Sequence, residues 1–245
     1  MRGLFVTGTG TGVGKTVVAA AIARSLAAAG ESVAVFKPAV TGLDEFPADG
    51  PKAEAGVGPS AGRPDHEMLR HAASSTQSAE EVSPYRYGPP MSPHLAAELA
   101  GETIDPDRLA QTARDAAACA DALVCEGVGG LLVPLSLSPP YLVRDLAVDL
   151  GLPVVVAARP GLGTINHTLL TIQAARDAGL EVAAAVLTPW PDRPSAIEES
   201  NRGTIAALAK LEVETLPQLD LGQPAGWPNL DDWRFLPRMG DAGDS

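Results

Sequence analysis

The chain has 245 residues, 45% of them hydrophobic and 20% charged, which is enough for one substantial buried core. Eighteen Lys and Arg against 30 Asp and Glu leave a net charge of −12, and no stretch concentrates cations, which argues against a nucleic-acid surface or an anionic membrane partner. No apolar run approaches the ~18 residues of a membrane span and no leader-like segment precedes the first one, so a cytoplasmic protein is expected.

The first apolar run, Leu4-Phe5-Val6, opens into Gly8-Thr9-Gly10-Thr11-Gly12-Val13-Gly14-Lys15-Thr16. A strand entering a glycine-rich loop that ends in Gly-Lys-Thr predicts a phosphate cradle. Its backbone N–H groups and the following helix N-terminus face the anion, Lys15 reaches the outer phosphates, and the Thr16 hydroxyl can ligate Mg²⁺. The usual spacing has four residues before the Gly-Lys pair, whereas here five intervene, Thr9 to Val13. From Thr16 to Ala29 the chain is Ala-, Val- and Leu-rich and stops at Gly30, a buried helix. Val33 to Phe36 is a second strand, ending in Lys37-Pro38. Four prolines between Leu43 and Pro64 predict a flexible surface loop.

Helices are expected over Asp65 to Ala73, from Ser92 or Pro93 to Leu99, and over Asp105 to Ala120, with an irregular Pro84 to Pro93 crossing between the first two. Ala122 to Cys125 is a strand that ends in Glu126-Gly127-Val128-Gly129-Gly130. Pro153 to Ala157, Val182 to Leu187 and Val213 to Leu216 are further strands, alternating with helices over Thr164 to Ala178 and Asn201 to Leu211. This alternation predicts one α/β domain, a doubly wound and mainly parallel sheet with helices on both faces and ligands at the strands' carboxyl ends. The domain is expected over 1–219. An irregular tail follows over 220–245, in which Trp227, Trp233 and Phe235 suggest partial packing back. Cys119 and Cys125 lack metal-ligand spacing and are expected as free, buried thiols.

Polar groups at strand ends should converge: Thr11, Lys15 and Thr16 after the first strand, Lys37 and Thr41 after the second, Glu126 after a central one. Beside a phosphate loop, Lys37 could stabilise charge developing on a transferred phosphoryl group, and Glu126 could complete a Mg²⁺ site. Asp65 starts a helix and, on pattern alone, reads more readily as a cap than as a ligand. The Gly161-Leu162-Gly163-Thr164-Ile165-Asn166-His167 turn could hold a carboxylate or phosphate, or could simply carry Thr164 or Asn166 as a cap. His167 and His94 read as packing or capping residues, His66 and His71 as surface residues.

With Gly8-x5-Gly14-Lys15-Thr16, Lys37-Pro38-Ala39-Val40-Thr41-Gly42, Glu126-Gly127-Val128-Gly129-Gly130 and Gly163-Thr164-Ile165-Asn166-His167 in this order, the sequence resembles the dethiobiotin synthetases from Leu4 to about Pro217. The lengthened loop is that family's form of the phosphate cradle. The resemblance implies a P-loop NTPase-like fold and an ATP- and Mg²⁺-dependent ligase of biotin biosynthesis. Such an enzyme converts 7,8-diaminopelargonate and CO2 to dethiobiotin, with ADP and phosphate as products. Carried over, Gly12, Val13, Gly14, Lys15, Thr16 and Val17 wrap the phosphates, while Thr16, Asp65 and Glu126 hold Mg²⁺. Lys37, Lys15 and Thr11 serve catalysis, and Gly127, Val128 and Gly129 line the nucleotide. Thr41 contacts the diamine, and Gly163, Thr164 and Asn166 receive the carboxylate of substrate bound to the neighbouring subunit of a homodimer.

The base falls to Thr188, Pro189, Leu216, Pro217 and Gln218. Thr188-Pro189 stands where many members have Asn-Asp for reading the adenine, which leaves base choice open; Gly12 stands where some have an acidic residue, which removes a carboxylate near the amines. Two other readings share the loop. Dimeric switch ATPases that position plasmids or division machinery usually carry an additional early lysine, where this chain has Thr9-Gly10-Thr11. A corrinoid amide-forming synthetase would need a glutaminase domain for which 245 residues leave no room.

Overall fold

The computed structural model describes residues 1–46 and 63–237. Residues 47–62 of the expected surface loop, and 238–245 of the tail, lie outside the described residues. In chain order the elements are β1 (Gly3–Gly8), α1 (Lys15–Ala28), β2 (Val33–Phe36), β3 (Ala39–Val40), α2 (Asp65–Ala72), α3 (Ala79–Val82), β4 (Tyr85–Arg86), α4 (Pro93–Leu99) and α5 (Pro106–Ala118). They continue with β5 (Ala122–Glu126), β6 (Pro134–Leu137), β7 (Pro140–Leu142), α6 (Val143–Leu150), β8 (Val154–Ala158), α7 (Thr164–Asp177), β9 (Val182–Trp190), α8 (Ala196–Ala209) and β10 (Glu212–Pro217). The expected order of strands and helices is therefore present. The additions are α3, α6, the β6–β7 hairpin and the two-residue pair β3–β4.

Six strands form one sheet in the order β10-β9-β8-β1-β5-β2, with every neighbouring pair parallel. Period-two alternation sends successive side chains to opposite faces. Leu4, Val6, Val35, Val124, Val155 and Val186 join one buried cluster with the apolar face of α1 and with Met68 and Leu69 of α2. Phe5, Phe36, Leu123, Cys125, Val156 and Leu187 join the other, with residues of α4 to α8. Both faces are covered, so the inner strands are almost wholly apolar up to their carboxyl ends, while the edge strand β10 carries Glu212, Glu214 and Thr215. The tail does pack back: Trp227, Leu230, Trp233 and Leu236 are buried in the first cluster. Ser25 of α1 donates to Asn229 Oδ1 at 3.2 Å and accepts from the Leu230 N–H at 3.3 Å.

Two expectations about single residues are corrected. Cys125 is a buried free thiol inside β5, but Cys119 is exposed, because it closes the last turn of α5 beyond that helix's buried stripe. His66 is buried and not on the surface, since α2 turns His66, Met68, Leu69 and Ala72 inward; His71 is exposed as expected.

Three carboxylates tie local structure to pH. Asp121 accepts from the Ser32 hydroxyl at 2.6 Å and from its N–H at 2.8 Å, while Glu81 and Glu198 close capping boxes on the N–H groups of Ser78 and Ser195, each at 2.6 Å. These bonds favour the ionised form, so all three titrate below the usual carboxylate range. A depressed folded-state value contributes stability that is present above the unfolded value and lost as pH falls through the folded one. Thermal unfolding followed by calorimetry should therefore show Tm falling on acidification below about pH 4. The triple variant Glu81→Gln, Asp121→Asn, Glu198→Gln should show a shallower fall; an unchanged slope would refute the assignment.

Candidate active site

The carboxyl ends of β1, β2, β5, β8 and β9 deliver the site. Immediately after β1, the Thr9 N–H donates to Ala157 O at 3.1 Å, which pins the start of the loop to β8. Gly12 and Gly14 have φ of 71° and 97°, a left-handed backbone that L side chains resist. A Cβ on Gly14 would also lie 2.4 Å from Thr188 Cγ2. Gly14 is the N-cap of α1 and offers no side chain, so the amides at that helix start are left for a ligand. Lys15, 7% exposed, folds back over the loop and donates from Nζ to Gly10 O at 2.7 Å. Burial brings its pKa down to about 8; Glu126 opposes this and Lys37 adds to it. A polyphosphate at the loop would favour the ammonium form and raise that value again.

Lys37, Asp65, Glu126 and Thr16 come from four separate elements and meet in one network. Lys37 directly follows β2, its N–H fixed on Val82 O at 2.8 Å, and is 3% exposed. Its Nζ lies 2.6 Å from Glu126 Oε1 and 2.9 Å from Asp65 Oδ2. The Thr16 hydroxyl donates to the same Glu126 Oε1 at 2.8 Å. Burial works against the Lys37 charge, yet Asp65 and Glu126 outweigh it and hold the ammonium protonated above its ordinary range. For Glu126, wholly buried, desolvation raises the pKa while Lys37 opposes the rise. Asp65 does not cap its helix: Pro64 is the N-cap and no side-chain cap bond forms, because the Asp65 carboxylate is turned toward Lys37.

Among the described residues, Glu126 Oε2 is buried with no hydrogen-bond partner. An orphaned carboxylate oxygen beside a hydroxyl and a second carboxylate is a hard-oxygen donor set, which fits Mg²⁺. No closed cage of three or more His, Cys, Asp or Glu exists among the described residues, so phosphate and water would complete the coordination.

Behind this network Gly127 is packed tightly: a Cβ there would lie 2.8 Å from Val143 Cγ1. Val128 packs on the α4 to α8 side of the core, and Gly129 has φ of 62°. On the β8 and β9 side of the loop a cleft of about 450 Å³ is lined by Thr9, Val13, Arg159, Thr164, His167 and Pro189 among others. Thr188 is buried beneath Gly14, and the Leu216 side chain is wholly in the core, while Pro217 is half-buried and Gln218 exposed. Gly163, with φ of 89°, is the N-cap of α7; neither Thr164 nor Asn166 caps it, and Asn166 is exposed. Thr11 is exposed and Thr41 half-buried, and neither joins the Lys37 network.

Sequence reasoning passed over Arg159. Its guanidinium donates from Nη2 and Nε to Gly12 O at 2.7 and 3.1 Å. The signal was there, since a polar residue directly follows the apolar run Val154–Ala158, as Lys37 follows β2.

Comparison with known proteins now bears on this arrangement. The chain is 46% identical over 197 residues to the ATP-dependent dethiobiotin synthetase of Anaeromyxobacter dehalogenans, covering 80% of this chain and 81% of that protein. This chain belongs to the dethiobiotin synthetase family. The Bacillus velezensis dethiobiotin synthetase is 34% identical over 221 residues, 90% of this chain and 88% of that one. The family model described as an AAA domain matches residues 2–221. Among solved structures, a nucleotide-binding protein in complex with ADP from Archaeoglobus fulgidus aligns at TM-score 0.52 and 18% identity, covering 97% of this chain and 93% of that one. The Aquifex aeolicus MinC:MinD cell division complex aligns at 0.51 and 16%, covering 97% and 87%. Likenesses at this identity show the shared fold alone. The family's ATP dependence agrees with the phosphate loop. Among the described residues, no helix is long and apolar enough to cross a membrane.

Proposed function

We propose that this dethiobiotin synthetase joins CO2 to 7,8-diaminopelargonate and closes the cyclic urea of dethiobiotin at the expense of ATP, releasing ADP and phosphate. The observation that carries the reading is the Lys37 ammonium held between Asp65 and Glu126 next to the phosphate loop. In the reaction, one substrate amine adds to CO2 and loses a proton, giving a carbamate. The carbamate oxygen attacks the γ-phosphorus and the bond to ADP breaks. The second amine attacks the carbonyl carbon of the resulting mixed anhydride, and phosphate leaves as that nitrogen gives up its proton.

No protein nucleophile is needed, so the protein's part is positioning and charge neutralisation. The amides of Gly12 to Val17 and Lys15 grip the phosphates. Lys37 faces the negative charge that builds on the transferring group, with Thr11 and Thr41 beside the diamine. Thr16, Asp65 and Glu126 would hold Mg²⁺, which when bound supplies positive charge to the phosphate oxygens. The working unit is a cytoplasmic homodimer in which Gly163, Thr164 and Asn166 of the partner subunit receive the substrate carboxylate. Thr188, Pro189 and the 216–218 segment flank the base, and neither nucleic acid nor membrane is a partner. The test is incorporation of labelled bicarbonate into a cyclic urea from ATP, Mg²⁺ and diaminopelargonate. ATP hydrolysis that proceeds without the diamine, with no label entering a urea, would rule the reading out.

A further inference from the structure

The contact that joins β8 to the phosphate loop carries one inference more. Arg159 lies one residue past β8 and is exposed, yet its guanidinium donates twice to a single carbonyl, that of Gly12. It enters no ion pair among the described residues. The backbone beside it is anchored independently: Asn201 of α8, 8% exposed, donates from Nδ2 to Pro160 O at 2.9 Å and Gly161 O at 3.2 Å. The main chain next to Arg159 is thus anchored to α8, and the guanidinium is directed at one peptide group of the loop.

The Gly12–Val13 peptide is trans, and in a planar trans peptide the C=O and the following N–H point in opposite directions. Drawing the Gly12 oxygen toward Arg159 therefore turns the Val13 N–H the other way. That N–H makes no hydrogen bond among the described residues. Gly12, at φ of 71° with no Cβ, is free to let this peptide flip, and a flipped peptide would present a carbonyl oxygen where a phosphate needs a donor.

We propose that Arg159 is a positioning residue of the phosphate loop, which holds the Gly12–Val13 peptide in the orientation that offers the Val13 N–H to the polyphosphate of the nucleotide. The inference rests on the nucleotide-dependent reading above. Arg159 touches no reacting atom; it acts through Gly12. Its loss should therefore raise the free energy of the nucleotide complex and leave the chemical step nearly untouched.

The test compares wild type, Arg159→Ala and Arg159→Lys by ADP titration and by steady-state kinetics with saturating diamine. Arg159→Ala should raise the ADP Kd and the KM for ATP about tenfold, with kcat within about threefold, and with an unchanged Tm because the side chain is exposed. Arg159→Lys should recover only part of the loss, since one ammonium cannot reproduce the forked donor pair. Guanidinium ion in the millimolar range should restore part of the Arg159→Ala affinity, which a general loss of packing would not allow. Wild-type ADP affinity in Arg159→Ala, or a fall in kcat with KM unchanged, overturns the positioning role alone. A wild-type protein that binds no ADP overturns the functional reading and this inference with it.

Discussion

Replacing Lys37 with alanine should lower dethiobiotin formation by about 10³-fold while ADP affinity stays within a few-fold of wild type, as expected for removal of a preorganised donor aimed at developing charge. The network makes the variant informative beyond turnover. Lys37 is the cation on both Glu126 and Asp65, and Glu126 has no access to water. Its removal leaves a buried carboxylate without its counter-charge, a change that costs about 3–5 kcal/mol where the carboxylate stays ionised. Part of any activity loss could then be loss of fold. The double variant Lys37→Ala/Glu126→Gln removes the charge as well and should regain thermal stability but not turnover. Turnover that returns with the stability would show Lys37 to be structural.

The second large effect is expected at Lys15, with the opposite stability signature. Burial works against its charge and brings its pKa down to about 8, so the ammonium is less favourable in the folded chain than in water. Lys15→Ala should therefore leave Tm without nucleotide unchanged or higher. Nucleotide affinity should fall by about 10²-fold, or roughly 2.7 kcal/mol, and the rise in Tm that ATP with Mg²⁺ gives to wild type should shrink accordingly. Turnover should fall with it. A variant that keeps its nucleotide-induced shift would place the phosphates away from this loop.

What the sequence made legible follows from where side-chain identity decides the geometry. The apolar strand runs and the glycine loop are local signals, and they were readable because a parallel sheet buried on both faces keeps the interior of its strands largely apolar. Lys37 and Glu126 stood out for the same reason, as charges directly after apolar runs. The reading went wrong where tertiary contact decides. On pattern alone Asp65 suited a cap better than a ligand, and only the resemblance pointed it at the site where it meets Lys37; His66 was turned inward by the partners of α2 and not by its own chemistry. Arg159 carried the same strand-end signal as Lys37, but its target is a backbone carbonyl 147 residues away, and that partner is not encoded in any side-chain pattern. The β6–β7 hairpin was missed because its two short strands are separated only by Ser138-Pro139, and it sits inside a stretch that reads as turn residues.

The burial of Trp227, Leu230, Trp233 and Leu236 has a consequence for how the protein is made. Most of the helices are linkers between strands and meet the sheet as each unit is synthesised, whereas this segment follows β10 and emerges only after every strand of the sheet. Until it emerges, the apolar side chains of α1 that it covers face water directly behind the nucleotide loop. A nascent chain at that stage has its strands and its loop but an open flank, and it is then most exposed to association with its neighbours. Completion of the fold therefore waits on residues that lie beyond the last strand.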